Sequence, residues 1–167
     1  MSLSQRALAV ATLAATLGSA FPVVAVDVSQ VAPEVRAVGT TGATSLAALK
    51  GKVVYLDFWA SWCGPCRQSF PWMNEMQAKY GARGFEVLAI NVDAKREDAD
   101  KFLAQTAATF NIAFDARGET PRAYGIKGMP SSVLIGADGK VLFMHAGFRD
   151  DERQTLEAQI AAALPKR

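Results

Sequence analysis

Cys63 and Cys66 are the only two cysteines of the chain, and they stand at C-x-x-C spacing where an apolar run gives way to a helical pattern. Two sulfurs so placed close a disulfide only across a tight turn, and Gly64-Pro65 at the start of a helix supplies one. The first sulfur then lies at the helix N-terminus. There the unpaired N–H groups and the positive end of the helix dipole favour a thiolate. This makes Cys63 the exposed, attacking nucleophile and Cys66 the resolving thiol, because attack on a substrate disulfide leaves a mixed disulfide that a neighbouring sulfur must break. A metal site is the rival use of such a pair. A closed zinc site needs about four ligands, whereas Cys63, Cys66 and the single His145 make three soft candidates, so zinc is not expected. Copper(I) on the two thiolates stays open, since soft ligands select it. His145 itself reads as an ordinary strand residue, and no bound cofactor is expected.

Asp57 is the other residue of chemical interest, a carboxyl inside the apolar run Val53 to Trp59. Burying an ionised carboxylate without a partner is costly, so its pKa should rise and suit it as proton acceptor for Cys66. An acid at a strand end with solvent access is the alternative. Of the flanking tryptophans, Trp62 is expected on a docking surface and Trp59 in the core.

Positioning these groups requires a scaffold, and the chain supplies one in order. Residues 26–44 mix Pro33, Gly39 and Gly42 with hydroxyl residues and read as a linker with a short edge strand near Glu34 to Val38. Ser45 to Gly51 predicts one capped helical turn. Lys52 to Trp59 reads as a strand covered on both faces, and Pro65 to Tyr80 as a helix with Phe70, Met73, Met76 and Tyr80 on one side. Pro71 lies inside that helix and removes one backbone donor. A second central strand follows at Phe85 to Val92, then a solvent-facing amphipathic helix within Ala94 to Thr109, a short strand at Asn111 to Asp115 and a helical Thr120 to Tyr124. Asp138-Gly139 between two apolar runs signals a hairpin of Ser132 to Ile135 with Val141 to Ala146. A helix from about Asp151 to Leu164 closes the chain. Parallel pairs early and an antiparallel hairpin late imply an α/β fold with a mixed sheet and helices on both sides.

Composition bounds the rest. A chain of 167 residues, half hydrophobic and a fifth charged, suits one domain. A net charge of +2 without a basic run does not suggest a nucleic-acid surface, and no nucleic-acid partner is expected. Two cysteines three residues apart are no stapling framework. The stretch from Ala7 to Val26 carries no charge, follows Arg6, and has small residues at Gly18, Ser19, Ala20 and Ala25. It reads as a signal peptide over residues 1–25, cleaved after Ala25 or Ala20, with an uncleaved membrane anchor as the alternative. Either places the domain, residues 45–167, outside the cytoplasm.

The run Leu56-Asp-Phe-Trp-Ala-Ser-Trp-Cys-Gly-Pro-Cys66 resembles the thioredoxin superfamily, with Asp57 six residues before Cys63, Pro71 eight after it, and Tyr124-Gly-Ile-Lys-Gly-Met-Pro130 similar to the family's cis-proline loop. The segment Leu49-Lys-Gly-Lys-Val-Val and the extra helix and strand between Asp93 and Tyr124 resemble the TlpA/ResA-like, DsbE-like branch of bacterial extracytoplasmic thiol-disulfide oxidoreductases. The resemblance covers Val31 to Leu164. It implies a thioredoxin-like fold with a helix-strand insert and a protein-disulfide reductase or exchange role in the periplasm. In the family such roles often belong to cytochrome c maturation or metal-centre assembly. It also implies a cis Met129-Pro130 peptide, a substrate surface of Trp62, Gly64, Pro65, Met129 and Pro130, protein disulfides as substrates, a membrane thiol donor, and a monomer. A peroxidase of related fold is not expected, for want of a third cysteine. One departure stands out: thioredoxins place a lysine beside the buried acid on the neighbouring strand, and the matching position here is Ala89.

Overall fold

The computed structural model describes residues 26–39 and 44–166. The signal or anchor expected at residues 1–25 therefore lies outside the described residues. Among the described residues no helix is long and apolar enough to cross a membrane.

Six strands of the described residues form one sheet: β1 (Val38–Gly39), β2 (Val53–Trp59), β3 (Phe85–Asn91), β4 (Asn111–Phe114), β5 (Ser131–Ile135) and β6 (Val141–Ala146). Their spatial order is β1-β4-β3-β2-β5-β6. β2, β3 and β4 run parallel, while β1, β5 and β6 join antiparallel. The mixed sheet expected from the order of elements is thus present. β2 occupies its centre because every one of its seven residues is buried, which only a strand covered on both faces can be. The β5–β6 hairpin turns at Asp138-Gly139 as anticipated, with Gly139 at φ +83°, a left-handed conformation that glycine adopts without a Cβ clash.

Among the described residues four helices pack on this sheet: α1 (Gly64–Tyr80), α2 (Arg96–Gln105), α3 (Glu119–Ala123) and α4 (Arg153–Ala163). The strand period of two divides the core. Val53, Tyr55 and Trp59 of β2 face α1, α2 and α4, meeting Phe70, Met73, Phe102, Leu156 and Ile160. Val54, Leu56 and Phe58 face the opposite cluster, which includes Val35, Leu49 and Tyr124. Each such side chain contributes about 1.5–3 kcal/mol of burial. α1 lies across the sheet centre, so the dithiol at its start is anchored by the largest apolar face of the molecule. Pro71 lies within α1 and leaves the carbonyl of Arg67 without its usual helical donor.

The stretch read as a linker is bound into the domain. Val26 and Val35 are buried, the backbone of Ser29 to Ala32 bonds to residues 139–141, and Tyr124 Oη donates to the Pro33 carbonyl at 2.6 Å. The edge strand anticipated near Glu34 to Val38 is confined to Val38–Gly39. Glu34 is engaged otherwise: its carboxylate accepts from the backbone N–H groups of Val35, Leu46 and Ala47 and so ties this stretch to the 46–50 turn. That turn is the single capped one expected, with Ser45 Oγ accepting from Ala48 N at 3.1 Å. The last helix begins two residues later than predicted, after a 3₁₀ turn at Asp150–Glu152.

Candidate active site

β2 ends at Trp59 and α1 begins at Gly64, and the loop between them is held by its neighbour strand. Val92 N donates to the Trp59 carbonyl at 3.0 Å, and Cys63 N to that of Ala60 at 3.1 Å. The decisive group is Asp93. Its buried carboxylate accepts from Ser61 N at 2.9 Å, Ser61 Oγ at 3.0 Å and Asn91 Nδ2 at 2.8 Å, and its own N–H donates to Asn91 Oδ1. A fully satisfied buried network of this kind fixes a loop. Nothing in the local sequence singles out Asp93, because its partner is 32 positions away; only an acid directly after an apolar strand marks it.

Cys63 is the N-cap of α1, in extended conformation, and its sulfur accepts from Cys66 N at 3.3 Å. It is disulfide-bonded to Cys66, with the two Cα atoms 5.3 Å apart. The expectation of an openly exposed Cys63 needs correction: it is 4% exposed, against 0% for Cys66. Cys63 thus remains the more accessible of the two while presenting little surface. Trp62, 71% exposed, stands beside it, whereas Trp59 is fully buried against Phe70 and Phe102 at centroid separations of 4.9 and 4.8 Å. α2 is amphipathic, as anticipated: its inner Phe102 completes this aromatic layer and carries the Arg67 guanidinium 4.6 Å from its centroid.

Asp57 projects to the α1 side of β2, two residues from Tyr55 and two from Trp59. Its register partners are Ala89 on β3 and Ser132 on β5. The position opposite Asp57 on β3 is thus an alanine, as the departure noted above required. Burial alone pushes its carboxyl well above the ordinary carboxylate range, and its Oδ2 has no hydrogen-bond partner among the described residues. Tyr55 lies next to it and donates its hydroxyl to Ser132 Oγ at 2.8 Å. Burial and then the charge of Asp57 raise the Tyr55 phenol.

The Met129-Pro130 peptide is cis, as the resemblance implied. Two open cavities meet at this loop. One, of about 360 Å³, is lined by Met129, Pro130, Ser132 and His145 among others. The second, of about 350 Å³, is lined by Trp62, Pro121, Arg122, Ile126, Lys127 and Met129. Trp62, Met129 and Pro130 are therefore brought to one grooved surface. Gly64 and Pro65 are exposed at the first turn of α1 and line neither cavity. His145 lies on β6 with its Nε2 3.3 Å from Glu152 Oε2 and its ring stacked on Phe143.

A family model described as Redoxin matches residues 17–160. A thiol-disulfide oxidoreductase ResA of Bacillus thuringiensis subsp. konkukian is 36% identical over 120 residues, covering 72% of this chain and 68% of the relative. A crystal structure described as a thiol:disulfide interchange protein DsbE, from Chlorobium tepidum, is 60% identical at a TM-score of 0.81, covering 83% of this chain and 99% of that one. The thioredoxin domain of a thiol-disulfide oxidoreductase from Bacteroides vulgatus superposes with a TM-score of 0.71 at 26% identity, covering 81% and 99%. With a dithiol at the head of α1, a buried acid under it and a cis-proline loop beside it, the chain belongs to the redoxin family, as a ResA/DsbE-like thiol-disulfide oxidoreductase of the thioredoxin superfamily.

Proposed function

We propose that the protein works outside the cytoplasm as a reductant of disulfides in exported proteins, with Cys63 as nucleophile and Cys66 as resolving thiol. The observation that carries this is the Cys63–Cys66 disulfide capping α1 beside the groove of Trp62, Met129 and Pro130. The uncharged stretch from Ala7 to Val26 supports export to the periplasm. The Cys63 thiolate, stabilised by the first-turn N–H groups of α1, attacks one sulfur of the substrate disulfide and expels the other as a thiolate. Asp57 takes the proton of Cys66. The Cys66 thiolate then attacks Cys63 Sγ, forms the internal disulfide and releases the second substrate sulfur. The substrate gains two electrons and the protein loses two, which a membrane thiol donor restores. Cytochrome c maturation and metal-centre assembly are the processes in which such reduction is needed.

Turnover of insulin disulfides by the reduced protein, and trapping by Cys66→Ala, test this. The variant should accumulate mixed disulfides on Cys63, and the potential of the wild type should lie nearer about −270 mV, as in thioredoxin, than about −120 mV, as in DsbA. An empty trap together with tight stoichiometric copper(I) binding would replace the reductase with a copper-handling protein. A potential near that of DsbA would reverse the direction of electron flow.

A further inference from the structure

Four register partners stand in one line across the sheet: Ala89 on β3, Asp57 on β2, Ser132 on β5 and His145 on β6. Directly paired residues project to the same face of a sheet, and here that face carries α1. The line therefore holds a carboxyl with an unpartnered oxygen, a hydroxyl and an imidazole. Tyr55 joins it from β2 by donating to Ser132 Oγ at 2.8 Å. A serine oxygen that accepts from tyrosine keeps its own proton to donate, and among the described residues the Ser132 side chain makes no other hydrogen bond. Its neighbour across the pair is Asp57, both residues being buried.

Among the described residues no cation offsets this acid. β2 offers Tyr55, β3 offers Ala89, and α1 offers Cys66 together with Ser69, whose hydroxyl is committed to the Cys66 carbonyl. The next titratable groups along the line are His145 and its partner Glu152. We propose that the Ser132 hydroxyl, oriented by Tyr55, replaces a counter-charge: it donates to Asp57 when Asp57 is ionised and opens the way out for its proton, a positioning role that rests on Asp57 being the proton acceptor for Cys66. Once Asp57 has taken that proton, Ser132 Oγ accepts it while passing its own hydroxyl proton onward. The cavity of about 360 Å³ lined by Ser132 and His145 has room for the water that receives it.

The test uses the full chain, reduced, with Ser132→Ala, Ser132→Thr, Tyr55→Phe and Asp57→Asn, each checked for folding by circular dichroism. The Asp57 carboxyl is titrated by carbon NMR of labelled aspartate. Resolution of a mixed disulfide with a peptide is followed against pH by stopped flow. Ser132→Ala should move the Asp57 midpoint up by about one pH unit and slow resolution about tenfold below it, as loss of a hydrogen bond to a charged group requires. Tyr55→Phe should shift the midpoint the same way by less, and Ser132→Thr should return it to the wild-type value. A Ser132→Ala midpoint and profile that coincide with wild type, while Asp57→Asn abolishes the profile, overturn the role of the hydroxyl pair alone. A wild-type profile that survives Asp57→Asn removes the proton-acceptor role of Asp57, and the hydroxyl pair's role falls with it.

Discussion

Replacing Asp57 with alanine should make the oxidised protein more stable at neutral pH. The carboxyl is 2% exposed, lacks a donor at Oδ2 and faces alanine where a cation would offset it. An aspartate in the unfolded chain titrates near 3.8. Holding such a group protonated at pH 7 costs about 4 kcal/mol, at about 1.36 kcal/mol per pH unit, and leaving it ionised without a partner is avoided only if that costs more. About 4 kcal/mol is thus the ceiling on what Asp57 takes from stability at pH 7. Alanine removes that cost and loses about 1 kcal/mol of packing, for a net gain of about 1–3 kcal/mol. The sign follows from proton counting. Between 3.8 and its raised native value, Asp57 binds more protons in the native than in the unfolded state, so wild-type stability falls as pH rises through that window. Below 3.8 both states are protonated, and the alanine variant should gain nothing. Urea unfolding of both disulfide-bonded proteins at pH 3.5 and pH 7.5, followed by tryptophan fluorescence, measures the difference. A gain that is the same at both values, or a loss at pH 7.5, refutes the account of Asp57 as a buried, unpaired acid.

Two further perturbations separate binding from scaffolding. Trp62→Ala should leave stability within about 0.5 kcal/mol, because the side chain is exposed. It should raise KM for a protein disulfide several-fold while leaving oxidised glutathione little affected, and equal effects on both substrates would remove Trp62 from the docking surface. Asp93→Ala strips the partners of Ser61 N, Ser61 Oγ and Asn91 Nδ2. Buried groups left unpaired cost about 1–3 kcal/mol each where water cannot reach them, so denaturation should show a loss of about 2–3 kcal/mol and stopped-flow kinetics a slower exchange at Cys63. An unchanged midpoint and rate would show that the loop holds its shape without Asp93.

Much of the site was legible because its chemistry is local. The C-x-x-C pair, Gly64-Pro65 and the helical period from Phe70 to Tyr80 lie within one turn-and-helix unit, whose geometry depends on neighbours in the chain. The same holds for the Ser45 turn and the Asp138-Gly139 hairpin. The cis peptide at Pro130 was legible only through resemblance, since a proline by itself marks a turn and not an isomer.

What the amino-acid sequence determined by itself was the dithiol, the strand and helix periods, and the placement of an acid within a doubly covered strand. The tertiary structure decided which groups that acid meets. Tyr55 and Ser132 are 77 positions apart, and Ser61 and Asp93 are 32 apart. Their meeting depends on strand register, and a slip of one residue would turn Ser132 to the opposite face of the sheet. The near-burial of Cys63 was decided in the same way. A thiol at a helix N-terminus is reactive by virtue of that helix, but its accessibility is set by the loops that packing brings around it.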